Sequence, residues 1–312
     1  MKVTNNNIKT SFDQIVNLDL VGKPQNHMKL PQLLDYAQQE TMPPSWEDEE
    51  KVSVVVIDPL KDFMEGGALP VPGAIEDMKR FSVWGYENLH KITEFRVACD
   101  VHTPMQIFFP LWWMDKNGKH PEPYTVIKLA DIDAGKWRAT RDSQLSRDYV
   151  QGLEALGRYN LMIWPYHCLQ GTEGATLESQ FANLLYFHSV ARRRQPIYTS
   201  KGTYPWAEMY GCKHVEFDPT GKAGVNADIF DGLEFAKKIV FVGQAKSHCV
   251  RASIEQFLDH FEEIDPTISR RTYILEDCMS NIPGFESISD DTYTAWAETK
   301  GLNLVKSTDF AL

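Results

Sequence analysis

At 312 residues the chain is long enough for one large α/β domain and can bury a substantial core. A formal net charge of -11 and a pI near 5.3 argue against general affinity for nucleic acid or for an anionic membrane surface. Five cysteines without a CxxC pair are expected as reduced thiols in a cytoplasmic protein, and neither a signal-type apolar run nor a stretch of about eighteen apolar residues predicts export or a membrane span.

Residues 1–50 read as an N-terminal extension and linker. Asn5, Asn6 and Asn7 are loop-like, Leu30, Leu33, Leu34 and Ala37 line one face of a short helix, and Pro43 and Pro44 lead into the acidic run Glu47, Asp48, Glu49, Glu50. Whether this extension packs on its own subunit or on a neighbour stays open. From residue 51 to 312 apolar strands alternate with amphipathic helices. Strands are predicted at 52–57, 95–99, 161–163, 197–199, 239–242, 272–275 and 304–306, with helices at 74–92, 177–190 and 250–261. The basic run Arg192, Arg193, Arg194 reads as a solvated helix end. Strands alternating with helices imply right-handed crossovers and a mainly parallel sheet covered on both faces, with ligands gathered at the carboxyl ends of the strands.

Those ends carry the residues of chemical interest. Asp58 leaves the first strand, where burial or a nearby cation would retune its carboxyl, and Asp62 reads as a structural group bonding N–H groups of the Glu65, Gly66, Gly67 turn. Asp100 and His102 stand two apart at the exit of the second strand, so both can reach one cation. His167 follows another short strand, and one Asp with two His and open positions is a common way to hold a catalytic divalent metal. Lys201 exits a further strand, where it can hold a carboxylate and a thiolate in register. Cys249 is predicted in the first turn of a helix fed by an apolar strand, where the unpaired N–H groups and the positive end of the dipole favour thiolate. His248 adjoins it, but neighbours at a helix start point in different directions, so Asp58 is the preferred base. Cys168 reads as packing, Cys99, Cys212 and Cys278 as structural, and His120 as a loop histidine.

Taken in order, Asp58 with Asp62 and Phe63, the Asp100-x-His102 pair, the WPYHCLQGTEGA run from Trp164 to Ala175, Lys201-Gly202, and GQAKSHCV from Gly243 to Val250 resemble the nicotinamidase branch of the isochorismatase-like cysteine hydrolases. The resemblance spans about residues 50 to 310. It implies a three-layer αβα fold on a six-stranded, mainly parallel sheet, and an Asp/Lys/Cys triad of Asp58, Lys201 and Cys249. It also implies a metal site of Asp100, His102 and His167 for zinc, iron or manganese, an oxyanion hole of the Ala245 and Cys249 N–H groups, and a cis peptide between Gln244 and Ala245. Phe63 and Trp164 are expected to pack against a planar substrate ring. The expected activity is hydrolysis of nicotinamide to nicotinate and ammonia through a Cys249 thioester, by a homo-oligomer. Leu60, Lys61, Lys246 and Ser247 depart from residues frequent in that family, and an insertion at about 103–160, tied to the metal site at both ends, is expected to form a wall or lid over the pocket. Two rival readings stand beside this one: a hydrolase of the same chemistry acting on another amide or carbamoyl compound, and a non-catalytic binding protein on the same fold.

Overall fold

The computed structural model describes residues 8–312, so Asn5, Asn6 and Asn7 lie outside the described residues. Two helices come first, α1 (Phe12–Ile15) and α2 (Leu30–Gln38). Strand β1 (Val52–Ile57) is buried along its whole length, as a β-branched run in a sheet covered on both faces should be. Helix α3 (Ala74–Glu87) leads to β2 (Glu94–Asp100). The segment 103–160 then folds as β3 (Trp113–Met114), β4 (Val126–Ile127), α4 (Leu129–Asp133), β5 (Arg138–Ala139) and α5 (Ser143–Leu156). Asp142 caps α5 by accepting the Leu145 N–H, and Gly157 closes it in the left-handed conformation. The remaining elements are β6 (Leu161–Met162), α6 (Ser179–Ala191), β7 (Ile197–Lys201), β8 (Lys238–Gly243), α7 (Arg251–Phe261), β9 (Thr272–Leu275), α8 (Glu286–Lys300) and β10 (Asn303–Val305).

Six strands form one sheet in the order β10-β9-β8-β1-β2-β7, with every neighbouring pair parallel. The chain leaves β1 toward β2 and β7 on one side and later fills β8, β9 and β10 on the other. The strand order therefore reverses between β1 and β8, where open α/β sheets form their ligand crevice. One predicted strand is corrected: 161–163 does not join this sheet. Only two of its residues are extended, and they pair antiparallel with β4 in a separate two-stranded ribbon, so the sheet ends at β7 on that side.

The extension packs on its own subunit. Ile8, Ile15, Leu33 and Ala37 close a second apolar cluster against Tyr86 and Leu89, near the end of α3, and Leu184, Phe187 and Ala191 of α6. Each large aliphatic side chain buried this way contributes about 1.5–3 kcal/mol. Leu30, by contrast, is half exposed. The basic run is also corrected. Arg193 and Arg194 are exposed, but Arg192 is fully buried, pairing with Asp48 and donating to the Pro43 carbonyl. That buried ion pair fixes the linker, and Asp48 in turn accepts from the Thr93 hydroxyl.

Candidate active site

Four adjacent strands, β8, β1, β2 and β7, end at the crevice. Ile57 is register partner to Gly243 and Asp100 to Lys201, so the residues after β1 and β8 and at the ends of β2 and β7 converge. Gly243 is required there: with φ of +130°, a Cβ would lie 2.0 Å from the Ile57 carbonyl oxygen. Asp58 itself takes a left-handed φ of 48°, unusual for a non-glycine residue, and turns its carboxyl into the crevice. Lys201 Nζ lies 2.6 Å from Asp100 Oδ1, 2.9 Å from Asp58 Oδ2 and 3.5 Å from Cys249 Sγ. Asp58 Oδ1 accepts the Asp100 N–H at 2.7 Å. Asp58 Oδ2 faces Lys201 Nζ as a buried ion pair. The peptide bond between Gln244 and Ala245 is cis.

All four groups are buried, so the local dielectric magnifies their interactions. Burial first, then the charge of Asp100, raises the Asp58 carboxyl above its ordinary range despite Lys201. Burial also opposes ionisation of Asp100, yet Lys201 and then His102 hold it well below the usual carboxylate range. Burial pushes the Cys249 thiol well up, and Lys201 offsets only part of that. The expectation of a helix N-terminus favouring thiolate is therefore corrected. Cys249 lies in a π-turn, Lys246–Val250, that precedes α7, and desolvation outweighs the backbone dipoles. The thiol rests protonated beside a carboxyl raised toward neutrality.

Asp100, His102 and His167 also meet, their ligand atoms all within 4.8 Å of one another. His102 donates Nδ1–H to the Gly202 carbonyl at 2.9 Å, and His167 donates Nδ1–H to the Pro165 carbonyl at 2.8 Å. These bonds fix the two rings with their Nε2 atoms 3.5 and 4.0 Å from Asp100 Oδ2. Burial first, then the His102 charge, lowers His167 to about 3, keeping it neutral as a ligand must be. This donor set, with its outer hydrogen bonds in place, fits a divalent metal. His167 comes from a loop rather than a sheet strand, and the loop is docked by the His102 N–H on the Cys168 carbonyl at 2.9 Å.

The pocket beside Cys249 is lined by Phe63, Leu69, Trp164, Glu208, Tyr210 and His248 among others, and encloses about 20 Å³, room for roughly one water. Phe63 lies edge-on to His167, and Trp164 donates to Glu208 at 3.1 Å and to the Tyr210 hydroxyl at 3.2 Å. Phe108 and Phe109 pack edge-on to His102, and Tyr159 stacks on His248, so the 103–160 segment backs both the cluster and the pocket. Glu208 and Tyr210 escaped the sequence reading because their loop has no periodicity or motif to mark it. Asp62 is structural and reaches beyond its own turn: it accepts the Ala68 N–H at the end of that turn at 3.1 Å and the Cys168 N–H at 2.7 Å, tying the Phe63 loop to the His167 loop. Cys168 is buried, and His120 bonds the Trp113 carbonyl, away from the cluster.

No protein-family model and no curated protein sequence matches the chain. Among solved structures, a nicotinamidase/pyrazinamidase from Acinetobacter baumanii aligns with a TM-score of 0.55 at 17% identity, covering 84% of this chain and 99% of that one. The yeast nicotinamidase Pnc1p bound to the inhibitor nicotinaldehyde aligns with a TM-score of 0.55 at 20% identity, covering 82% of this chain and 99% of that one. The six-stranded parallel sheet and its flanking helices give the chain the same α/β fold as these solved structures.

Proposed function

We propose that the protein is a metal-dependent cysteine amidohydrolase acting on a small amide, with nicotinamide the first substrate to test. The observation that carries this reading is the convergence of Asp58, Lys201 and Cys249 in one buried crevice, with Lys201 Nζ 2.9 Å from the carboxylate and 3.5 Å from the sulfur. Ionised Asp58 takes the Cys249 proton as sulfur bonds to the amide carbon. Lys201 holds the developing ion pair in line, and the Ala245 and Cys249 N–H groups hold the oxyanion, each donor worth about 3 kcal/mol. The C–N bond breaks, protonated Asp58 gives its proton to the leaving ammonia, and a thioester remains. Water then attacks, delivering its proton to Asp58 and hydroxide to the acyl carbon, and the acid departs as the thiol is restored. A divalent metal on Asp100, His102 and His167 would supply a Lewis-acid contact that orients the substrate or a water beside it. Phe63 and Trp164 are the walls for a planar ring. The cavity of about 20 Å³ is far below the roughly 300 Å³ of drug-sized clefts, which supports a small substrate admitted as wall side chains yield.

The test is ammonia release from nicotinamide by purified protein of known metal content, beside Cys249→Ala and Asp100→Ala. Release that vanishes in Cys249→Ala and drops with metal loss in Asp100→Ala is expected. A folded, metal-loaded protein inert toward nicotinamide but active on another amide or carbamoyl compound would move the substrate. Inertness toward all of them would contradict the proposal.

A further inference from the structure

A second cleft, of about 350 Å³, opens at the amino ends of β1, β2 and β7, the opposite end of the strands from Cys249. Buried Ser53, Glu94 and Arg96 line its inner side, and Trp46 and Phe235 its mouth. Its volume falls within the roughly 300–1,000 Å³ of small-molecule sites.

Trp46 and Phe235 are 66% and 71% exposed, yet each sits on a turn that an arginine fixes on both flanks. Around Trp46, the Arg192 guanidinium pairs with Asp48 and donates to the Pro43 carbonyl, while the Arg192 carbonyl accepts the Ser45 N–H at 2.9 Å. Around Phe235, Arg271 donates to the Glu234 and Ala236 carbonyls, each at 2.8 Å. Two large rings are thus held at one cleft on fixed backbone while forgoing burial in the core. A planar ligand would cover them at little further cost in ordering the protein.

The polar lining is cationic, on a chain whose net charge is -11. Lys51, Arg96 and Arg194 stand against two carboxylates, Glu94 and Asp231. Glu94 is already committed: it accepts from the Ser53 hydroxyl at 3.0 Å and pairs with Arg96 at 2.7 Å and with Arg194. Lys51 is exposed and enters no ion pair among the described residues, and Arg194 engages Glu94 through Nη2 alone. The acidic neighbours Glu47, Glu49 and Glu50 do not line the cleft. An anion therefore meets two accessible cations with donors to spare. Asp231, exposed and outside any ion pair among the described residues, offers an acceptor for hydroxyl or amino groups.

We propose that this cleft binds a nucleoside monophosphate, its base against Trp46 and Phe235 and its phosphate on Lys51 and Arg194. Asp231 accepts from a sugar hydroxyl or an amino group of the base. Free phosphate would leave both rings uncovered, and a single-ring acid would fill only a fraction of the volume. The site is separate from Cys249 and stands whether or not the hydrolytic reading holds.

The experiment is calorimetric titration of the full chain with the 5′-monophosphates of adenosine, guanosine, cytidine and uridine, beside the free nucleosides and inorganic phosphate. At least one nucleotide is expected to bind with a Kd below about 1 mM, and about tenfold or more tightly than its nucleoside or phosphate. Trp46→Ala, Phe235→Ala and Lys51→Gln alter exposed side chains and should leave the fold intact, and each is expected to weaken that nucleotide about tenfold. No binding of any of the four at about 1 mM would overturn the inference, and so would binding that all three variants leave unchanged. Phosphate bound as tightly as the nucleotide would reduce the cleft to an anion patch and equally overturn it. Sedimentation of the same samples supplies the last outcome: a dimer that Trp46→Ala and Phe235→Ala dissociate would show that a second copy covers the cleft, against the proposal.

Discussion

Lys201 is the residue on which the others depend, a buried ammonium between two carboxylates and a sulfur. Replacing it with Met leaves Asp58 and Asp100 buried without their counter-charge, and a loss of about 3–5 kcal/mol in urea-unfolding free energy is expected along with loss of activity. Asp58 sets the pH dependence. Only its ionised form can take the Cys249 proton, and burial raises its pKa above 3.8, so kcat/KM should fall as pH drops through that raised value. The acid limb should lie well above the ordinary carboxylate range, and a limb near pH 4 would contradict the assignment of Asp58 as base. At this scale the sequence was most legible where a residue type is chemically demanding, as at Asp58, Asp100, His102 and Lys201 on strand exits and at His167 and Cys249 in the loop and the π-turn beyond them. It was least legible where a role depends on a distant partner. Arg192 resembled a surface charge because Asp48, which neutralises it in the interior, lies in the linker. Asp62 resembled a local turn former because its second acceptor oxygen serves the Cys168 N–H on another loop.

Among the elements, the strand ends do the positioning. The pairing of Asp100 with Lys201 across β2 and β7 sets carboxylate beside ammonium before any side chain moves, and Gly202 then turns the chain so that its carbonyl accepts from His102. Gly202→Ala tests this link, since at φ of +76° the added Cβ would lie 2.4 Å from His102 Cε1. A drop of about tenfold or more in metal affinity, measured by competition with a chelator, is expected in a variant that still folds. The strands of the sheet were readable because each is a short apolar or β-branched run bounded by turn residues. The exception at 161–163 has the same composition but follows α5, whose own segment supplies β4 as its partner; composition cannot tell a central strand from a two-residue ribbon. The π-turn before α7 was likewise invisible, because it has the apolar spacing of the helix it precedes.

For the whole molecule, the extension is part of the core rather than an appendage. Ile8, Ile15 and Leu33 cover Leu184 and Phe187 of α6, and at about 1.5–3 kcal/mol for each buried aliphatic side chain their sum rivals the 5–15 kcal/mol that separates folded from unfolded domains. A variant lacking residues 1–44 should lose most of its stability and aggregate through the uncovered face of α6, as seen by thermal unfolding and light scattering; a truncated chain that melts like the full one would show the extension to be dispensable. No helix among the described residues is long and apolar enough to cross a membrane, and all five cysteines are unpaired. The central claim is that Cys249 becomes acylated. The most direct measurement is mass spectrometry of acid-quenched enzyme during turnover of nicotinamide, with hydroxylamine added in parallel to trap the acyl group. The account predicts an acyl adduct on the Cys249 peptide that hydroxylamine removes as the hydroxamate, absent in Cys249→Ala. Turnover without an adduct, retained in Cys249→Ala, would contradict it.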